Sequence, residues 1–324
     1  MGERNLEKNI YFIDEDGELE TDDHQDSIIV EMREYQEQPF EGEIEKPPEL
    51  QKFIEWVIPE IEDYLSKYET DLNSPTLKMI HLLPKEFYKK HMPTEGSDGF
   101  SCREGVVLNE ERFKNFNLNL ALNLIHEILH YFSFKKHCRS GETGDHSQRR
   151  SGLTVDSASP LEGTPDDIKL KALNEAITET LTFQVYINKI KGGPFFEDDV
   201  KKLDSSLPEE YRGKGYNVYP KTSSYGPYES LFYDLVKKIA VVDDKYTDNE
   251  DTKDVFYKAY FNGRLLPLAR MLRKVDKDCL HDLAEIGAIP NNENLQKVNE
   301  LRKKYGLGED RETNEQLEKE VKQK

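Results

Sequence analysis

The segment LNLIHEILHYF, Leu122 to Phe132, restricts the fold of this chain more than any other. It is apolar except for Asn123, His126, Glu127 and His130. A run this apolar forms a core helix, and each imidazole or carboxylate buried there needs a partner. Residues four apart share a helix face, with Cβ atoms about 5–6 Å apart. Asn119, Asn123 and Glu127 keep that spacing, His130 follows three residues on, and His126 stands beside them, so they form one polar stripe. Such a stripe has to face a wet cleft or a partner that satisfies it.

His126, Glu127 and His130 read as His-Glu-x-x-His. Two imidazoles one turn apart can hold one zinc ion at about 2.0–2.1 Å. Glu127, next to the first histidine, is placed to take a proton from a water that the metal activates. A third protein ligand is then required. The metzincin pattern would need Gly at 133 and His at 136, but Ser133 and Lys136 stand there and His137 is one position late. A second predicted helix carries LNEAITET, in which Glu175 and Glu179 are again four apart and Asn174 precedes them.

With HEILH followed by NEAITE, the sequence resembles the gluzincin metallopeptidases, the thermolysin-like group. The resemblance covers residues 80–185 and is diffuse elsewhere. It implies an α+β, zincin-like fold: a small mixed sheet, an active-site helix and a mainly helical C-terminal half. It implies a zinc site of His126, His130 and Glu175, with Glu127 as general base and Glu179 hydrogen-bonded to His126. It also implies that a peptide or protein substrate lies along an edge strand before the first motif. That strand would be GFSCREGVVL, with Gly99 and Phe100 at its start. Members of the group stabilise the oxyanion with a Tyr, His or Arg. YPKTSSYGPYESLF offers Tyr219, Tyr225 and Tyr228, and Tyr225 is preferred because Gly226-Pro227 can turn its ring into the cleft. His146, Arg149 and Arg150 are rivals. From His130 to Glu175 is 45 positions, longer than in thermolysin, so the insert 135–166 is expected over or beside the cleft.

The rest of the chain sets the frame. PPELQKFIEWVIPEIEDYLSKYE is a predicted helix with a kink expected at Pro59; PTLKMIHLLP is a strand; DGFSCREGVVLNEERF is a hairpin bent at Gly99 and Gly105. The first-motif helix is expected from Phe116 to Phe134, and the second from just after Pro165, where Asp166 and Asp167 suit a helix N-terminus. Between them the chain is polar, with RRSGLTV a candidate strand. Beyond KGGP, five amphipathic helices are predicted, with Gly263, Gly287 and Gly306 as stops.

The expected organisation is an acidic arm (1–46), a catalytic domain (47–240), a helical region packed on it (241–306) and a polar tail (307–324). The net charge of −19 argues against nucleic acid or an anionic membrane as partner. Residues 1–50 hold 17 acidic and four basic side chains, and the stretch IDEDGELETDDHQD within them is too charged to fold alone. No apolar run is long enough for a membrane span, and the N-terminus has neither a signal-peptide pattern nor the Ser or Thr of a myristoylation site at position 6. A cytoplasmic location is the expectation. Cys102, Cys138 and Cys279 are few and widely spaced, which suggests no disulfide framework. Two other functions fit the motifs: a catalytically idle zinc protein used for binding, and a zinc hydrolase of a non-peptide amide. Glu127 favours an enzyme, because a purely structural zinc site has no use for it. Oligomeric state is left open.

Overall fold

The computed structural model describes residues 39–68, 74–91, 98–102, 105–140, 146–158, 167–206, 225–243, 245–246 and 248–308. Most of the acidic arm, Tyr219 and the tail from residue 309 lie outside them, as do the side chains of His146 and Arg149. Mixed α+β organisation is present, with two small sheets among many helices. No helix of the described residues is long and apolar enough to cross a membrane.

Helix α1 (Pro48–Leu65) opens at Pro48, where a missing N–H costs nothing, and runs through Pro59. Its face of Leu50, Phe53, Ile54, Val57, Ile61 and Leu65 is fully buried. The first sheet has the order β1-β3-β2, formed by β1 (Ile80–Leu83), β2 (Gly99–Ser101) and β3 (Val106–Asn109). β1 and β3 are parallel, and β2 and β3 form the expected antiparallel hairpin. The strand predicted from PTLKMIHLLP is shorter, because Leu77–Met79 is a 3-10 turn. A short helix α2 (Lys85–His91) follows β1, and another, α3 (Glu110–Phe113), follows β3.

Helix α4 (Leu118–Phe132) carries the first motif. Asn117 starts it by accepting a hydrogen bond from the Leu120 N–H at 3.2 Å. The insert that follows is a four-stranded antiparallel meander: β4 (Lys135–Ser140), β5 (His146–Ser151), β6 (Thr154–Ala158) and β7 (Asp167–Lys169). RRSGLTV is therefore a turn between two strands, with Gly152 at φ 60° at its tip.

Helix α5 (Lys171–Val185) carries the second motif. It begins later than the sequence suggests, since Asp167–Lys169 pair with β6 and Leu170 breaks the chain direction at φ 59°, ψ 18°. α5 is buried along nearly its whole length although it is rich in threonine. Thr178, Thr180 and Thr182 return their hydroxyls to the carbonyls four residues back, at 2.8–2.9 Å, which satisfies them inside the core.

Helices α6 (Glu197–Ser206), α7 (Gly226–Val242), α8 (Asn249–Asn262), α9 (Leu265–Val275), α10 (Cys279–Ala284) and α11 (Asn292–Tyr305) complete the fold. Gly263 and Gly306 stop their helices in the left-handed conformation. Gly287 is no such stop; its N–H donates to Asn294. Tyr228 donates to the Gly287 carbonyl at 2.9 Å, and Arg302 to Asp234 at 3.2 Å, which ties the C-terminal helices to α7. Leu307, assigned by the sequence to the polar tail, is buried against the core.

Candidate metal centre

α4 lies across β2 and β3 and packs on α5. The polar stripe on α4 runs from exposed Asn119, through half-buried Asn123 and Glu127, to buried His126. Asn123 donates to Asp98, just before β2, at 2.5 Å, and Arg112 pairs with the same carboxylate at 3.4 Å. The stripe thus opens at one end to solvent and closes at the other on α5.

At the closed end three acceptor atoms converge. His126 Nε2 lies 3.1 Å from His130 Nε2, and Glu175 Oε2 lies 3.3 Å from each. Ligands at the corners of a zinc tetrahedron with bonds of about 2.0–2.1 Å are separated by about 3.3–3.4 Å, so the triangle fits. The chemistry of the donor set agrees. His126 Nδ1 donates to Glu179 Oε2 at 2.8 Å, which leaves a lone pair on Nε2 facing the triangle. Lone pairs this close, beside a carboxylate, are relieved by a cation among them or by a proton on one ring nitrogen. His126, His130 and Glu175 could therefore hold a metal ion. Burial opposes ionisation of Glu175, but His130 and His126 outweigh it and hold the carboxyl well below the usual carboxylate range.

Glu127 follows His126 on α4, and its side chain lies against the start of β2. A Cβ built on Gly99 would stand 3.6 Å from Glu127 Cγ, so the strand backbone lies against the Glu127 side chain. Phe100 is placed differently from Gly99. Its pairing partner is Val107, and its ring packs on Tyr88 at 5.6 Å, on the sheet face away from α4. Only the backbone of Phe100 is left to serve the cleft, because successive strand residues point to opposite faces.

Tyr225, at the start of α7, stacks on His126 with ring centroids 6.1 Å apart and planes 5° from parallel. Burial first, then the charges of Glu175, Glu127 and Glu179, raise its phenol far above the ordinary tyrosine value. It is kept as a neutral O–H donor. Tyr228 is spent on the Gly287 carbonyl. Arg150, a rival on sequence grounds, is turned away from the triangle. Its guanidinium lies over the Phe134 ring and donates to the carbonyls of Gly152, Ala259 and Gly263 at 2.8–3.1 Å.

The structure thus gathers His126, His130, Glu175, Glu179, Glu127, Gly99 and Tyr225 at one place, and leaves Phe100 and Arg150 outside it. Sequence reasoning missed Thr178 and Tyr260, whose hydroxyls lie 2.8 Å apart and each 3.4 Å from His130 Nδ1. Thr178 lies inside the second motif and was open to recognition from its place one turn after Asn174; Tyr260 has no local signal. No protein-family model, no curated protein and no solved structure matches this chain.

Proposed function

We propose that this protein is a zinc-dependent peptidase of the gluzincin type, built on a zincin-like fold. The observation that carries the reading is the triangle of His126, His130 and Glu175, with edges of 3.1–3.3 Å, beside the Glu127 carboxylate. A zinc ion held there supplies Lewis acidity, which makes water nucleophilic near neutral pH and polarises a carbonyl. Glu127 takes the proton of the attacking water and hands it to the leaving amine. Tyr225 directs its O–H to the oxygen on which negative charge develops. β2 ends the described sheet, and an extended peptide adds to it by backbone hydrogen bonds. Gly99 lets the edge strand itself lie close to Glu127, since a Cβ there would press on Leu108 and the Val107 carbonyl and stand 3.6 Å from Glu127 Cγ.

Glu127→Gln tests the reading. The amide matches the carboxylate in size and is not needed to bind metal, so fold and zinc content should match wild type. Cleavage of a peptide library should fall by about 10²–10⁴-fold, the usual worth of a positioned acid–base group. A zinc-loaded variant that cuts at the wild-type rate would remove Glu127 from the mechanism.

A further inference from the structure

His126 and His130 meet the triangle alike but are supported differently. The His126 side is settled by the Glu179 carboxylate. His130 also turns Nε2 to the triangle, so with a metal held there its Nδ1 carries the proton and needs an acceptor. Three side-chain atoms stand 3.4 Å from Nδ1: Asn174 Nδ2, Thr178 Oγ1 and the Tyr260 hydroxyl.

Asn174 does not serve. Its Oδ1 accepts the Leu153 N–H at 2.9 Å, which orients the amide and turns its NH₂ toward His130. A donor then faces a donor. The two hydroxyls remain. Thr178 passes its hydrogen to the Asn174 carbonyl at 2.9 Å. Tyr260 passes its own to the Leu129 carbonyl at 3.2 Å or to Thr178 at 2.8 Å. The Ser133 hydroxyl also neighbours this phenol but gives its hydrogen to the His130 carbonyl. Both oxygens keep lone pairs for Nδ1–H. Thr178 and Tyr260 are fully buried, so no solvent competes for them.

We infer that His130 Nδ1–H donates to the paired hydroxyls of Thr178 and Tyr260, which makes Tyr260 a positioning residue for a metal ligand. The inference rests on the zinc reading above. Its chemical sense is charge economy. Glu127, Glu175 and Glu179 already bring three carboxylates to the site, and neutral hydroxyls fix the second imidazole without adding a fourth. Its structural sense is that α8, well outside the two motifs, belongs to the centre. The Tyr260 ring is held for this by Phe261, edge-on at 4.9 Å.

The test compares zinc affinity, by chelator competition on the full chain, for wild type, Tyr260→Phe and Thr178→Val, with circular dichroism to check folding. Loss of an outer partner of a metal histidine costs about 10–100-fold in affinity, and that loss is expected for Tyr260→Phe. A folded Tyr260→Phe protein with wild-type affinity overturns the inference and leaves the zinc reading intact. Wild-type protein that takes up no zinc overturns both. ¹⁵N-histidine NMR of zinc-loaded wild type decides the matter even where a variant does not fold. His130 should be protonated on Nδ1, with a nuclear Overhauser contact to the Tyr260 ring; protonation on Nε2, or no such contact, overturns the inference.

Discussion

The backbone N–H of Leu153 donates to the side-chain oxygen of Asn174 over 2.9 Å, and so joins the tip of the insert sheet to the second motif helix. The insert is in this way part of the structure that holds the centre.

Gly152 is where this junction is tightest. It has φ 60°, and a Cβ there would lie 2.4 Å from Asn174 Oδ1 and 2.9 Å from the Tyr260 ring. Gly152→Ala should cost about 2–4 kcal/mol, from left-handed strain and overpacking together. A fall in melting temperature of several degrees is expected in thermal denaturation. An unchanged melting curve would mean that the turn moves away freely.

Glu175→Ala removes one corner of the triangle and should leave purified protein with little zinc by elemental analysis. Glu179→Ala keeps the triangle and loses the bond to His126 Nδ1, so zinc should be retained with about 10–100-fold weaker affinity. Stoichiometric zinc in Glu175→Ala would show that another residue completes the site.

Tyr225→Phe keeps the ring stacked on His126 and deletes the donor. Removing one oxyanion donor costs about 10²–10³ in kcat. Steady-state kinetics should show that fall with KM and zinc content nearly unchanged. A selective rise in KM would instead make Tyr225 a substrate-binding residue.

Glu43 is the described end of the acidic arm and accepts from His81 Nδ1 at 2.8 Å, next to Phe40. Burial raises its pKa, but the bond and charge of His81, with Lys46 and the Phe40 N–H, outweigh that and lower it from 4.5. A lowered folded pKa stabilises above the unfolded value and is lost as pH falls through the folded one. Glu43→Gln should therefore be less stable by about 1 kcal/mol at pH 7, and the gap should close below pH 4.5. Urea denaturation at pH 7 and pH 3.5 checks this; a gap independent of pH would assign it to packing.

What the sequence made legible was local. The stripe on α4, the pair Glu175 and Glu179, and helices α7 to α11 rest on contacts three or four residues apart, and periodicity exposes them. The insert sheet escaped because its strands are polar and lack the alternation of a half-buried strand. Asp166 and Asp167 after Pro165 resemble a helix start, yet residues 167–169 joined β6, a tertiary choice that overrode the local signal. Phe100 was within reach of strand alternation, which places it opposite Gly99. The approach of Tyr260 to His130 spans 130 positions and left no local trace.

Leu170 holds a left-handed backbone with its side chain 4% exposed. A non-glycine residue in that conformation costs about 1–2 kcal/mol, and burying a leucine returns about 1.5–3 kcal/mol. The two together act as an index pin for α5. Each residue of slip would turn that helix by about 100° and advance it by about 1.5 Å. Glu175 lies five residues beyond Leu170, so the pin sets its angular phase and keeps its carboxylate aimed at the two histidines.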